Sequence, residues 1–171
     1  EIPIAFGRTG KMFAFEHWDV KPDLVSFAKG VTCGYVPLGG VVASKEIAAY
    51  FNDNTLLCGL TYSGHPLACA AGVATLKQYQ ELDILGKVEK TGAVLGVLLE
   101  GMLKKHDCVG DVRYIGLFSA IELVKSKKTK EPPVAYGKDP QGLMGRIVKM
   151  LAAKGFMTYS HENMILVAPP L

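Results

Sequence analysis

The chain has 171 residues, 49% of them hydrophobic and 20% charged, with a formal net charge of +3. This length allows one domain, or a domain plus part of another, and enough buried surface for a real core. The balance excludes a disordered chain, the charge is too small to point to nucleic acid, and no apolar run reaches the roughly 20 residues of a membrane span.

The N-terminus has no signal-peptide layout. Cys33, Cys58, Cys69 and Cys108 form no C-x-x-C pair, and no histidine stands at ligand spacing from them. Neither a metal site nor a disulfide framework is expected, and the four read as reduced thiols of a cytoplasmic protein.

Glu1-Ile2-Pro3-Ile4 reads as part of a strand, followed by a glycine turn at Gly7-Arg8-Thr9-Gly10 and a short helical or irregular stretch over residues 11–19. The chain opens without an initiator methionine and ends at Ala168-Pro169-Pro170-Leu171 without a closing helix, so an internal fragment is expected. Leu24-Val25-Ser26-Phe27-Ala28 is an apolar run of buried-strand type, ending at Lys29-Gly30. Val41-Val42-Ala43 is a further strand, and Ser44 is the N-cap of a helix reaching to about residue 52. Residues 52–65 form a polar loop. Pro66 then suits the first position of a helix rich in small residues. Leu85, Val88, Val94, Leu95, Leu98, Leu99 and Leu103 give a second helix, over residues 83–105, its apolar face. Two strands are expected around Gly116, between residues 109 and 124. The lysine-rich segment 125–130 has no interleaved aromatics and reads as a solvated loop. A helix over residues 141–154 is closed by Gly155, and strands follow at residues 156–159 and 164–167. The pattern changes near residues 105–109, which places one domain over residues 1–107 and a smaller strand–helix–strand domain over residues 108–171.

Lys29 is one of sixteen lysines, but it follows an apolar strand and precedes a glycine. In open α/β sheets ligands bind at such strand ends. A lysine held against apolar surroundings tends to lose its proton, and a neutral amine is what Schiff-base chemistry needs. From the spacing alone a lysine that snorkels to solvent remains the alternative. Thr61-Tyr62-Ser63-Gly64-His65 precedes the Pro66 helix, so hydroxyls and free N–H groups could seat a phosphate there. Ordinary N-capping by Ser63 or His65 is the other reading.

Seven segments occur in order: Phe6-Gly7-Arg8-Thr9-Gly10-Lys11, Phe15-Glu16-His17-Trp18, Lys21-Pro22-Asp23-Leu24, Ala28-Lys29-Gly30, Pro37-Leu38-Gly39-Gly40, the run from Thr61 to Ala70, and Ala168-Pro169-Pro170-Leu171. In type and spacing the chain resembles the class III aminotransferases, the family of ω-amino-acid, ornithine and diamine transaminases. The resemblance implies part of the α/β fold of pyridoxal-phosphate enzymes of fold type I, a mostly parallel sheet with flanking helices, plus the start of a small α/β domain. It implies that Lys29 holds pyridoxal phosphate as a Schiff base and then moves the proton at the substrate carbon. It also implies that Thr61 binds the cofactor phosphate across a homodimer interface. An amino donor and a 2-oxo acid such as pyruvate would be the small-molecule partners. Arg8, His17, Trp18 and His65 also match the family, and are read as structural, packing or loop-bonding residues.

The family aspartate that pairs with the pyridinium nitrogen directly precedes the position of Glu1; the ring-stacking aromatic and the glycine–serine phosphate loop lie further upstream. Pro3 stands where the family has glutamine or an aliphatic residue, and Ala5 replaces a common glycine. The arginine that binds an α-carboxylate is replaced by Tyr159 or Leu166, which favours an ω-amino acid or amine donor. Two other readings stay open: a catalytically incomplete fragment acting as a folded scaffold, and an aminomutase of the same family.

Overall fold

The computed structural model describes residues 1–139 and 142–171, which fall into two units, Glu1–Val88 and Glu89–Leu171. The division lies inside a helix, whereas the sequence puts the end of the first domain beyond that helix, at residue 107.

In the first unit the expected opening strand is a turn. The Glu1 carbonyl accepts the N–H groups of Ile4 (3.0 Å) and Ala5 (2.8 Å), and Pro3 has no N–H to give to a ladder. Phe6 then adopts a left-handed backbone (φ 60°), and its N–H reaches the Met12 carbonyl at 2.6 Å. This buries Phe6 against Phe13 and Phe27, each with ring centroids 5.6 Å away. A single 3-10 turn, Ala14–His17, stands within the stretch expected to be helical or irregular.

Strand β1 (Leu24–Phe27) pairs antiparallel with β2 (Gly40–Ala43), Val25 opposite Val42. Of β1 only Val25 is buried, so the strand is present but less enclosed than its apolar composition suggests. The pair is a two-stranded sheet, too small to cover both faces of either strand. Helix α1 (Lys45–Tyr50) starts where expected, with the Ser44 hydroxyl accepting the Ile47 N–H at 3.3 Å. Helix α2 (Pro66–Glu81) begins on its proline and buries Ala68, Gly72 and Tyr79, one stripe at helical spacing.

Helix α3 (Ile84–Lys105) runs through the division between the units. In the second unit, Leu95, Leu99 and Leu103 repeat every four residues and pack on Val109, Val112 and Ile121. These last belong to a four-stranded antiparallel sheet of order β3-β4-β6-β5. It is built from β3 (Val109–Ile115), β4 (Phe118–Leu123), β5 (Ser160–His161) and β6 (Met164–Val167). Gly116 turns β3 into β4 with φ 56°, and a Cβ on Gly92 of α3 would lie 2.8 Å from its carbonyl oxygen, so helix and hairpin meet glycine on glycine.

Helix α4 (Leu143–Ala153) ends in a Schellman motif: Phe156 N–H to the Leu151 carbonyl, Gly155 N–H to the Ala152 carbonyl, and Gly155 at φ 84°. Gln141, where the sequence reading starts this helix, lies outside the described residues. The strand expected at residues 156–159 is displaced to Ser160–His161. The lysine-rich loop is not merely solvated. Lys127 Nζ donates to the Leu103 carbonyl at the end of α3, Lys130 Nζ donates to the Gly110 carbonyl, and Lys125 pairs with Glu131. An ammonium on the carbonyl end of a helix answers both its unpaired acceptors and its dipole. No described helix is long and apolar enough to cross a membrane.

Candidate functional site

One residue after β1, beyond Ala28, Lys29 opens a 3-10 turn, Lys29–Thr32. Its backbone is left-handed (φ 50°), as are Cys33 (φ 50°) and Gly34 (φ 78°) behind it. Non-glycine residues avoid this region at a cost of order 1–3 kcal/mol and keep it only where their surroundings dictate it. Here the surroundings are explicit. Gly30 lies against Phe6 and Ala5, since a Cβ on it would be 2.9 Å from Phe6 Cβ and 3.2 Å from the Ala5 carbonyl oxygen. Val31 joins the core formed by Ala5, Phe6 and Tyr79. Thr32, 1% exposed, donates its hydroxyl to the Val36 carbonyl at 2.6 Å.

A cleft of ≈ 820 Å³ opens beside this turn, lined by Lys29, Thr32, Val36, Leu38, Tyr62 and His65 among others. No carboxylate lines it among the described residues, and Lys29 and His65 carry its only titratable nitrogens. Such a cleft is suited to a small anionic or electrophilic molecule. Lys29 itself is exposed. The sequence reading has it held against apolar surroundings; the two-stranded sheet of this unit does not enclose it.

The second predicted residue, Thr61, is exposed in a turn over residues 61–64. Its neighbours Leu60 and Tyr62 both line the cleft, but Thr61 is not among the lining residues. Neither Ser63 nor His65 caps α2. The Ser63 hydroxyl accepts the Leu60 N–H at 3.3 Å, and His65 sits at the N-cap position with no side-chain bond to the helix. The first N–H groups of this 16-residue helix are thus left without a side-chain partner beside a hydroxyl-bearing loop, an arrangement that receives anions.

His17 bonds a loop, as expected: its Nε2 lies 3.1 Å from the Thr9 carbonyl oxygen and 3.0 Å from the Thr9 hydroxyl. Trp18 is exposed and meets His17 edge-on rather than packing in a core. Three contributors are absent from the sequence reading. Glu1 accepts the N–H groups of Ala14 and Phe15, each at 2.9 Å, and so ties the start of the chain to the 3-10 turn. Thr32 anchors the turn behind Lys29. Tyr79 reaches from α2 to place its hydroxyl 4.0 Å from Cys33 Sγ. Burial pushes the Tyr79 phenol well above its usual range, with Cys33 adding to the rise and Arg8 opposing it; burial also lowers Arg8. The stripe of residues 68, 72 and 79 on one face of α2 is the signal that could have found Tyr79.

The family model for "Aminotransferase class-III" matches residues 1–171. An adenosylmethionine-8-amino-7-oxononanoate aminotransferase of Staphylococcus aureus is 37% identical over all of this chain and 37% of its own length. A putrescine–pyruvate aminotransferase of Pseudomonas aeruginosa is 40% identical over 77% of this chain and 29% of its own. Among solved structures, a taurine:2-oxoglutarate aminotransferase from Bifidobacterium kashiwanohense, in complex with pyridoxal phosphate and glutamate, superposes with a TM-score of 0.96. It is 54% identical, over 99% of this chain and 38% of that one. The chain therefore spans well under half the length of the proteins it matches.

Proposed function

Because the chain belongs to the class III aminotransferases, a pyridoxal-phosphate-dependent family of fold type I, we propose that the protein carrying it transfers an amino group from an amino acid or amine to a 2-oxo acid, with Lys29 as the residue that holds the cofactor. The observation that carries this reading is the backbone of Lys29, left-handed at the end of β1 and set on the cleft. Strain of that kind gathers at functional sites.

The residues present fit the cofactor. Small-molecule sites are clefts of about 300–1,000 Å³ with few polar groups, and this one offers ≈ 820 Å³, one primary amine and no carboxylate. Lys29 Nζ would hold the cofactor through its aldehyde carbon, and the same amine, once free, would take the proton from the donor carbon and hand it back. Val36 and Leu38 supply apolar wall. When bound, the cofactor's ring supplies the electron sink for the carbon that loses the proton.

Thr61 serves the phosphate of a second copy's cofactor in a homodimer. Its exposure and its absence from the lining of its own chain's cleft support this, together with the uncapped α2 terminus beside it. The donor is an ω-amino acid or amine. Tyr159 and Leu166 stand where an α-carboxylate arginine would be, and no arginine follows Arg146. Relatives named for putrescine and taurine point the same way. The acceptor is a 2-oxo acid such as pyruvate, relatives being named for pyruvate and for 2-oxoglutarate, and four free thiols suit a cytoplasmic setting.

Treating the full-length protein with pyridoxal phosphate and borohydride, then mapping the modified peptide, tests the central assignment. Lys29 should carry the label; labelling spread evenly over the protein's lysines would overturn it. A donor panel of β-alanine, taurine, diamines, ornithine and glutamate tests the substrate, and glutamate, or ornithine giving up its α-amino group, as the best donor would remove the ω-amino assignment.

A further inference from the structure

We propose that Thr32 is a positioning residue for Lys29. This inference rests on Lys29 being the cofactor lysine and extends it to what holds that lysine in place. Thr32 is 1% exposed, yet it carries a hydroxyl and lines the cleft, so the hydroxyl must be used inside the turn. It is: Oγ1 donates to the Val36 carbonyl at 2.6 Å. The same residue's carbonyl accepts the Tyr35 N–H at 3.1 Å. Thr32 thus holds residues 35 and 36 from both its side chain and its backbone.

The segment between those anchors has unfavourable backbone. Cys33 and Gly34 are both left-handed, and Lys29 is left-handed three residues before Thr32. The backbone bonds available to hold it are few and long: Val31 N–H to the Ala28 carbonyl at 3.4 Å and Cys33 N–H to the Gly30 carbonyl at 3.2 Å. The Thr32 hydroxyl makes the shortest bond in the turn; the other side-chain bond there, from Cys33 Sγ to the Gly30 carbonyl, is 3.9 Å long. Losing it leaves the Val36 carbonyl without that donor, and the chain can recover by letting residues 33–36 swing away from α2. Gly72 of α2 closes on both flanks of this segment, a Cβ there lying 3.1 Å from Leu38 Cδ2 and 3.7 Å from the Val31 carbonyl oxygen, so the swing is outward, across the cleft wall that Val36 and Leu38 form. The angle at which Lys29 leaves β1 then relaxes with it.

The test uses the full-length protein and three variants, Thr32→Val, Thr32→Ser and Thr32→Cys. The readout is the rate at which pyridoxal phosphate and borohydride label the Lys29 peptide, measured against pH. Valine keeps the shape and removes the hydroxyl; serine keeps the hydroxyl and removes the methyl. Thr32→Val should slow labelling at Lys29 by about tenfold, the factor that one lost buried hydrogen bond represents, and alter its pH profile. Thr32→Ser should restore both to within about twofold of the parent. Should Thr32→Val fail to fold by circular dichroism, Ser against Cys makes the same comparison, because a thiol is a poor donor of similar size. Equal rates and pH profiles for Val and Ser, or for Cys and Ser where Val does not fold, would overturn the role of Thr32. If the parent protein itself shows no preference for Lys29, it is the cofactor assignment that fails, and the two failures are distinct.

Discussion

Gly30→Ala is the sharpest test of how Lys29 is placed. The added Cβ would meet Phe6 Cβ at 2.9 Å, the Ala5 carbonyl oxygen at 3.2 Å and Phe6 Cδ2 at 3.3 Å. The first two are fixed to the backbone, and Phe6 cannot retreat, because its left-handed residue is buried with its ring on Phe13 and Phe27. Something must shift, and forced overpacking of this kind costs about 1–3 kcal/mol. The free side of the contact is the 3-10 turn, so relief displaces Lys29. We expect a fall in the thermal midpoint of the full-length protein and faster hydrogen exchange confined to residues 5–13 and 29–36. Labelling of Lys29 should slow by about tenfold for each 1.4 kcal/mol diverted into the turn. Unchanged exchange in both segments, with labelling at the parent rate, would refute the view that Gly30 is glycine because Phe6 leaves no room.

Gly145→Ala is the opposite case: it sits in α4, a Cβ there meets nothing within 4 Å, and stability should rise by about 0.5–1 kcal/mol in a urea titration. Tyr79→Phe should change the alkaline limb. The folded phenol is raised by burial and then by Cys33, so its contribution is intact below the unfolded value near 10 and is lost as pH climbs beyond it. Above about pH 10 the parent should lose up to about 1.4 kcal/mol per pH unit relative to the Phe variant, and parallel curves would refute this. Mixing Lys29→Ala and Thr61→Ala chains tests the homodimer site. In a hybrid two-fold dimer one site keeps both residues if Thr61 acts on its partner, so random mixing should restore about a quarter of parent activity, and no restoration places Thr61 on its own chain's site.

The sequence made some elements legible because their cause is local. Pro66 at a first helical position, the four-residue repeat of Leu95, Leu99 and Leu103, Ser44 as a cap and Gly155 as a stop each act within a few residues, and the structure has each of them. Lys29 is singled out in the sequence for a different reason, as one member of seven spaced segments, since its strand context alone does not separate it from a solvated lysine. Thr32 and Tyr79 were not legible. Thr32 matters through a bond to a carbonyl four residues on, and Tyr79 through a contact with Cys33 that is 46 residues away in the chain. The opening strand and the one at residues 156–159 were misread because apolar composition says nothing about a partner. At Glu1 the carbonyl serves a turn, and near Thr158 the hydroxyl bonds the Leu166 carbonyl before the ladder begins at Ser160.

The exposure of Lys29 and the place of Thr61 outside the lining of its own chain's cleft raise one question, what covers that cleft. A lysine that is to form a covalent bond with an aldehyde needs its charge suppressed, and suppression needs cover. These residues, well under half the length of their relatives, provide a turn, a cleft wall and an anion-receiving helix end, and the cover is not among them. The side chains around the cleft are nonetheless apolar and open to solvent: Leu60, Tyr62 and Leu67 line it and are 81%, 79% and 64% exposed. Large apolar side chains held open on a loop beside a cleft are the usual mark of a surface that another one meets. If the covering surface is a second copy, the loop that brings Leu60 and Tyr62 to one cleft carries Thr61 between them, aimed elsewhere. Closing over Lys29 and delivering Thr61 are then the same event.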